Sequence, residues 1–190
     1  MRTIFAFDTA TSATSCALLL DGEVAGERLT VARSVLAVVD GLVHDAGLEH
    51  GDLEAIVVGT GPGSFTSIRI GLATALGLGL ALGIPAAGAS TFNAFEGGVP
   101  VIDAKRGQVF TPGPTVGPPE ELEVAGRRLV GDGALRYRDL FEAAGAEIPA
   151  DDDPAHLPAA RLLVAHAGAF GPAEAVEPLY VRSPDAVSPR

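Results

Sequence analysis

The chain has a single cysteine, Cys16, which excludes an internal disulfide and any cysteine-based zinc site and fits a reducing cytosol. Basic residues are scarce. Lys and Arg number 13 against 24 Asp and Glu, a formal net charge of -11, and Lys105 is the only lysine. Gripping nucleic acid is mostly phosphate neutralisation, so a role on RNA or DNA would need a partner to carry the positive surface. The four histidines lack metal-site spacing: His44 and His50 are six apart, His156 and His166 ten apart, with no HxxxH or HExxH. Surface histidines are the expectation. The turn Gly59-Thr60-Gly61-Pro62-Gly63 has no lysine after its glycines, so it is not a P-loop, and Ser64 stands where a dinucleotide fingerprint needs its third small residue. Pro62 occupies a nucleophile-elbow glycine position, and no Ser-His-Asp order is visible. Asp8 interrupts the apolar N-terminal run before a signal-peptide core could form. Charge is absent from Ile70 to Phe95. A helix ending near Pro85 would leave only about 15 regular residues there, against the ~20 a bilayer needs, so no membrane span is expected.

What is present suffices for a core. The chain has 190 residues, 47% apolar and 19% charged, enough for one domain or two small lobes. Candidate strands are Thr3 to Phe7, Thr14 to Leu20 and Glu23 to Leu29, the last two joined by the hairpin signal Asp21-Gly22. Ser34 is expected to cap a helix from Val35 to Ala46, stopped by Gly47. Ala55 to Val58 reads as a buried strand, followed by a helix from Ser64 or Phe65 to Leu82. Pro85 to Ala89 and Val99 to Asp103 read as strands, Thr91 to Phe95 as a stub of helix, and Lys105 to Phe110 as a return strand. Thr111 to Pro119 reads as a Pro/Gly linker, Ala134 to Ala144 and Ala159 to Ala167 as helices. This order predicts an α/β fold of the ribonuclease-H-like or actin-like kind, a mixed sheet with helices on both faces. Residues 1–102 would form the main lobe, and 103–190 a smaller, reduced one with a closing helix and tail.

Two constellations could carry function. In the second long helix Gly71, Ala75, Gly79 and Gly83 recur every four residues, beside a large stripe of Leu72, Leu76 and Leu80 and a second small stripe of Ala73, Gly77 and Ala81. A helix apolar all round is buried all round, and a sheet covers only one side of it. The other side meets either the first helix or another protein. Asp8 and Thr9 follow the first strand, and Asp103 with Gly131-Asp132-Gly133 could complete a nucleotide cleft in which Asp8 positions a metal and Thr9 meets phosphate. Local turn hydrogen bonds explain the same residues.

The segments IFAFDTAT, GTGPGSFTSIRIG, LGIPAAGASTF, VIDAKRGQVF, GDGA and EPLYVR together resemble the TsaB (YeaZ) family, whose signature GPGSFTGxRIG the second of them matches closely. The resemblance implies an actin/Hsp70-like two-lobe fold and a non-catalytic scaffold without cofactor or metal. It implies pairing with a larger paralogue, TsaD, through a bundle of helices from both proteins, and a small ATPase, TsaE, in a larger complex. TsaD carries the metal-binding histidines and transfers threonylcarbamoyl to adenosine 37 of tRNA, so tRNA would be met only through the partner; alone, the chain would form a homodimer in the cytoplasm. Leu36, Val39, Val43, Arg69, Leu72, Ala75, Leu76 and Gly79 are then the expected partner-binding residues, and Asp8, Thr9, Asp103, Gly131 and Asp132 a vestigial nucleotide site. A degenerate actin-like ATPase is the alternative. Three departures stand out: Ser67 in place of the signature glycine, Arg33 near the place of a common histidine, and apparent losses around residues 92–100 and 111–128.

Overall fold

The computed structural model describes residues 2–182; Met1 and the last eight residues of the expected second lobe, 183–190, lie outside it. Strands β1 (Thr3–Asp8), β2 (Thr14–Leu20) and β3 (Glu23–Thr30) form the expected antiparallel meander. Asp21 and Gly22 both have positive φ, 53° and 88°, the backbone of a two-residue hairpin whose twist matches its strands. β4 (Ala55–Gly59) and β5 (Ala86–Ala89) add in parallel, for the order β3-β2-β1-β4-β5.

Alternation sorts the side chains of this sheet onto two faces. Phe5, Phe7, Cys16, Leu18, Ile56 and Val58 pack beneath α1 (Val35–Asp45) and α2 (Phe65–Leu82), which lie on one face. Ile4, Ala6, Ala17, Leu19 and Val57 pack on the other, under 3-10 turns at Thr91–Ala94 and Ala160–His166 and side chains of the second lobe. Each large side chain fully buried here contributes ~1.5–3 kcal/mol. The second face is thus covered by 3-10 turns, because the expected last helix, flanked by Pro158 and Gly168, never widens to α geometry.

Ser34 does not cap α1 with its side chain; a 3-10 turn, Ala32–Ser34, leads into it instead. The stop is as expected: the Gly47 and Leu48 amides return to the carbonyls of His44 and Val43. α2 starts on Ser64, whose Oγ accepts the Ser67 amide, and stops at Gly83, φ 67°. Its bounds are those the sequence predicted. Among the described residues it is the one helix long and apolar enough to cross a membrane, although Ile68, Gly71, Ala75 and Gly79 are buried inside the protein.

The chain after Ala94 departs further from the sequence reading. The single strand expected from Val99 to Asp103 is two, β6 (Val99–Pro100) and β7 (Ile102–Lys105). Pro100 lacks an N–H for the ladder, and the chain changes partner there. The expected linker holds a strand: β8 (Gln108–Thr111) turns through Gly113 into β9 (Thr115–Gly117), whose Thr and Val suit pairing. β10 (Leu129–Val130) pairs with β6, and the helix expected from Ala134 is two short ones, α3 (Asp132–Arg136) and α4 (Arg138–Ala143), broken at Tyr137. The chain then returns to the first sheet. The Ala160 amide donates to Ser15 Oγ (2.8 Å), Gly171 bridges Ala86, and the Leu179 amide donates to the Thr60 carbonyl (2.8 Å).

Candidate functional site

Asp8 ends β1 with its carboxylate inside the protein, wholly buried. One oxygen accepts the Ala10 amide and the other the Thr91 hydroxyl, each at 2.7 Å. Burial raises its pKa above the ordinary 3.8, and the two hydrogen bonds pull it back in part. Gly59 lies against it: a Cβ there would stand 1.8 Å from Asp8 Oδ2. Gly59→Ala is therefore expected to destabilise the chain by at least ~3 kcal/mol, lowering Tm by roughly 6–12 °C in a thermal melt. Thr9 is buried too, its hydroxyl donating to the Ser67 carbonyl at 2.7 Å. A Cβ at Gly71 would meet that hydroxyl at 2.4 Å. Asp8 and Thr9 thus knit the β1 turn to the 3-10 turn at Thr91 and to α2, and neither lines the neighbouring cleft. Asp8, expected to position a metal, lies outside that cleft, buried and hydrogen-bonded by the chain's own donors.

That cleft encloses about 700 Å3. Thr11, Ser12, Gly63 and Ser64 line one wall, Asp103, Lys105, Arg106 and Asp132 the other, and Tyr180 and Arg182 cross from the tail. Asp103 and Asp132 are brought together, since Asp132 Oδ1 accepts the Asp103 amide at 2.9 Å. The Asp103 carboxylate is itself engaged by the Lys105 ammonium (2.7 Å) and Arg136 (3.3 Å). Gly131 shapes the turn: its φ is 98°, and a Cβ would stand 2.6 Å from the Val101 carbonyl oxygen. Sequence reasoning missed what holds it. His156, expected on the surface, is buried; its Nδ1 accepts the Gly131 amide (3.2 Å), which leaves Nε2–H to donate to the Pro149 carbonyl (3.2 Å). Nothing in the residues around His156 announces this, because both partners are backbone groups, which carry no side-chain signal, and Gly131 lies 25 positions away.

The helix layer is the second candidate, and here the expected residues divide. Val39, Val43 and Ala75 face the chain's own sheet and Gly79 packs against Ala173, each almost fully buried. Leu72 and Leu76 are half-buried at the side of the same core. Leu36 and Arg69 are exposed. The small stripe that points outward is the other one, Ala73, Gly77 and Ala81, flanked by Ile70 (37% exposed) and Leu80 (67%). The 3-10 turn before α1 packs beside α2, with Val31 and Leu36 exposed near it. The correction has a simple cause. Both small stripes have the same four-residue spacing, and only the tight fits of Gly71 under Thr9 and Gly79 against Ala173 fix which one turns inward.

Known proteins share this architecture. The model of the family "TsaD: tRNA N6-adenosine threonylcarbamoyltransferase" matches residues 30–114, which include α1, α2 and the hairpin of β7 and β8. An uncharacterised protein of Mycobacterium tuberculosis is 36% identical over 207 residues, covering 98% of this chain and 94% of that protein. The tRNA threonylcarbamoyladenosine biosynthesis protein TsaB of Bacillus subtilis is 35% identical over 122 residues, 57% of this chain and 53% of TsaB. A crystal structure from Pseudomonas aeruginosa, described as similar to the peptidase YEAZ, superposes with a TM-score of 0.79 at 28% identity, covering 96% of this chain and 100% of that one.

Proposed function

Since the chain belongs to the TsaB/YeaZ family and has its actin-like fold, we propose that it acts in tRNA threonylcarbamoyladenosine biosynthesis as a non-catalytic scaffold for a TsaD-family partner. The observation that carries this is the outward stripe of α2: Ile70, Ala73, Gly77 and Leu80 expose a continuous apolar strip that no element of the described chain covers. A soluble chain of this charge gains nothing from such a strip unless another protein covers it. Gly77 and Ala73 at its centre let a partner helix approach to the short end of the ~8–10 Å interaxial range, with Leu80 and Ile70 closing the sides. The TsaD-family match includes both helices of this layer, so a partner built on that template carries a helix pair of its own to set against them. In the partner's absence two copies of the strip would meet as a C2 homodimer.

In this reading the chain supplies no reacting group. The transfer chemistry and the tRNA contacts belong to the partner, TsaE joins the larger complex, and the whole works in the cytoplasm. The net charge of -11 agrees with tRNA being held elsewhere. The ATPase alternative draws on the interlobe cleft alone, and Asp8 and Asp103, the carboxylates it requires, are occupied by the chain's own donors.

Reconstitution tests the reading. Threonylcarbamoyl incorporation into tRNA by the TsaD-family partner and its companions is expected to depend on this chain, with none from the chain alone. Incorporation indifferent to its presence would overturn the scaffold role.

A further inference from the structure

We infer that Arg69 is the charged anchor of the docking strip, that it recognises a carboxylate on the partner's facing helix, and that Tyr180 of the tail positions it. The inference rests on the scaffold reading and specifies its chemistry. Between Ala55 and Phe95 Arg69 is the only charged residue. Helix α2 therefore presents one positive charge on an otherwise uncharged surface, in a chain with nearly twice as many acidic as basic residues. Arg69 is exposed, next to Ile70 and one helical turn before Ala73 on the uncovered side.

The side chain is held, not free. Its guanidinium lies 3.8 Å above the centre of the Phe65 ring, and its Nε donates to the Tyr180 hydroxyl at 3.1 Å. Tyr180 packs against Phe65 in turn, ring centres 4.9 Å apart. The tail is itself anchored on both lobes, through the Leu179 amide on the Thr60 carbonyl and through Arg182 on the Ala104 carbonyl (3.3 Å) and Gln108. Much of the rotamer freedom that arginine loses on binding is thus already lost on folding. Its two terminal amino groups have no acceptor among the described residues. Several other arginine forks are occupied, Arg28 by Asp45, Arg138 by Glu142 and Asp151, Arg161 by Glu27 and Glu96. Arg33 and Arg127, which also lack an acceptor among the described residues, are not held by a ring and a hydroxyl as Arg69 is. A preorganised fork without a carboxylate, at the rim of an apolar strip, fits an acidic side chain brought by the protein that covers the strip.

The test is isothermal titration of the full chain against its own TsaD-family partner, with thermal melts to confirm folding. Arg69→Ala is expected to raise Kd about 30–100-fold, as truncation of an interface arginine anchor does. Arg69→Lys recovers only part of that loss, because an ammonium lacks the planar fork. Tyr180→Phe, which removes only the hydroxyl, is expected to raise Kd about 3–10-fold while the salt dependence of association persists, whereas Arg69→Ala flattens that dependence. A carboxylate on the partner's facing helix, changed to arginine, is expected to restore binding to Arg69→Glu. Unchanged affinity in Arg69→Ala, alongside a complex abolished by Ile70→Asp, would overturn the anchor and leave the scaffold standing. Failure of the unaltered chain to bind the partner at all would overturn both.

Discussion

Ile70→Asp and Leu80→Asp, each alone, are expected to abolish the heterodimer and leave the chain folded. Both side chains are open to water, Leu80 at 67% exposure, so a carboxylate there stays hydrated in the free chain and moves Tm by only about 1–2 °C. In the complex the same carboxylate would lie between packed helices without a counter-ion, at a cost of roughly 3–5 kcal/mol, or more than a hundredfold in Kd. Ala75→Glu and Gly79→Glu behave differently. Ala75 is 1% exposed, and a Cβ at Gly79 would stand 2.8 Å from that of Ala173, so a carboxylate at either site is driven into the chain's own core. These two are expected to yield little folded protein, their loss of binding following from that. Size-exclusion chromatography with the partner, paired with thermal melts, separates the classes. Intact complexes from Ile70→Asp and Leu80→Asp would remove the strip from the interface.

The contrast also marks what the sequence made legible. Period and punctuation carried much of the first sheet and its helices: Asp21-Gly22 fixed a hairpin, Gly47 ended the first helix, and the apolar run of β4 declared a buried strand. These signals are local, each acting within one turn or one strand. The family signature at the head of α2 was legible for the same reason, being an unbroken run of residues. Which side of α2 faces inward was not legible, since it depends on Thr9 and Ala173, far from α2 in the chain, fitting the spaces over Gly71 and Gly79. Tyr180 meeting Arg69 across 111 positions, and His156 receiving the Gly131 amide, are long-range in the same way. Beyond residue 98, short strands with few apolar residues carry little periodic signal, and so β9 read as a linker.

Asp8 illustrates how a residue suited to chemistry can serve the fold, and its replacement is expected to have the second large effect. Asp8→Ala leaves the Ala10 amide and the Thr91 hydroxyl without their acceptor inside a closed core, and opens a cavity where the carboxylate stood. Two orphaned donors and the void amount to about 3–5 kcal/mol, a large share of the ~5–15 kcal/mol that holds a domain together. Tm is expected to fall by roughly 6–20 °C. A pH series isolates the charge itself. Because burial raises the carboxyl above 3.8, the native state holds the proton more tightly than the unfolded chain does. Stability from this group therefore falls as pH rises from 3.8 through the raised native value, and the cost is complete above it. Asp8→Asn carries no charge at any pH, so the unaltered chain should gain stability relative to it on acidification from neutral pH to about 4. Magnesium and ATP at millimolar concentration should shift the two melting curves equally, since in neither does residue 8 reach the cleft. A stability difference that does not vary with pH would mean that Asp8 is not buried as a strained carboxylate. A nucleotide-induced stabilisation found in the unaltered chain and lost in Asp8→Asn would return Asp8 to the cleft and bring the ATPase reading forward.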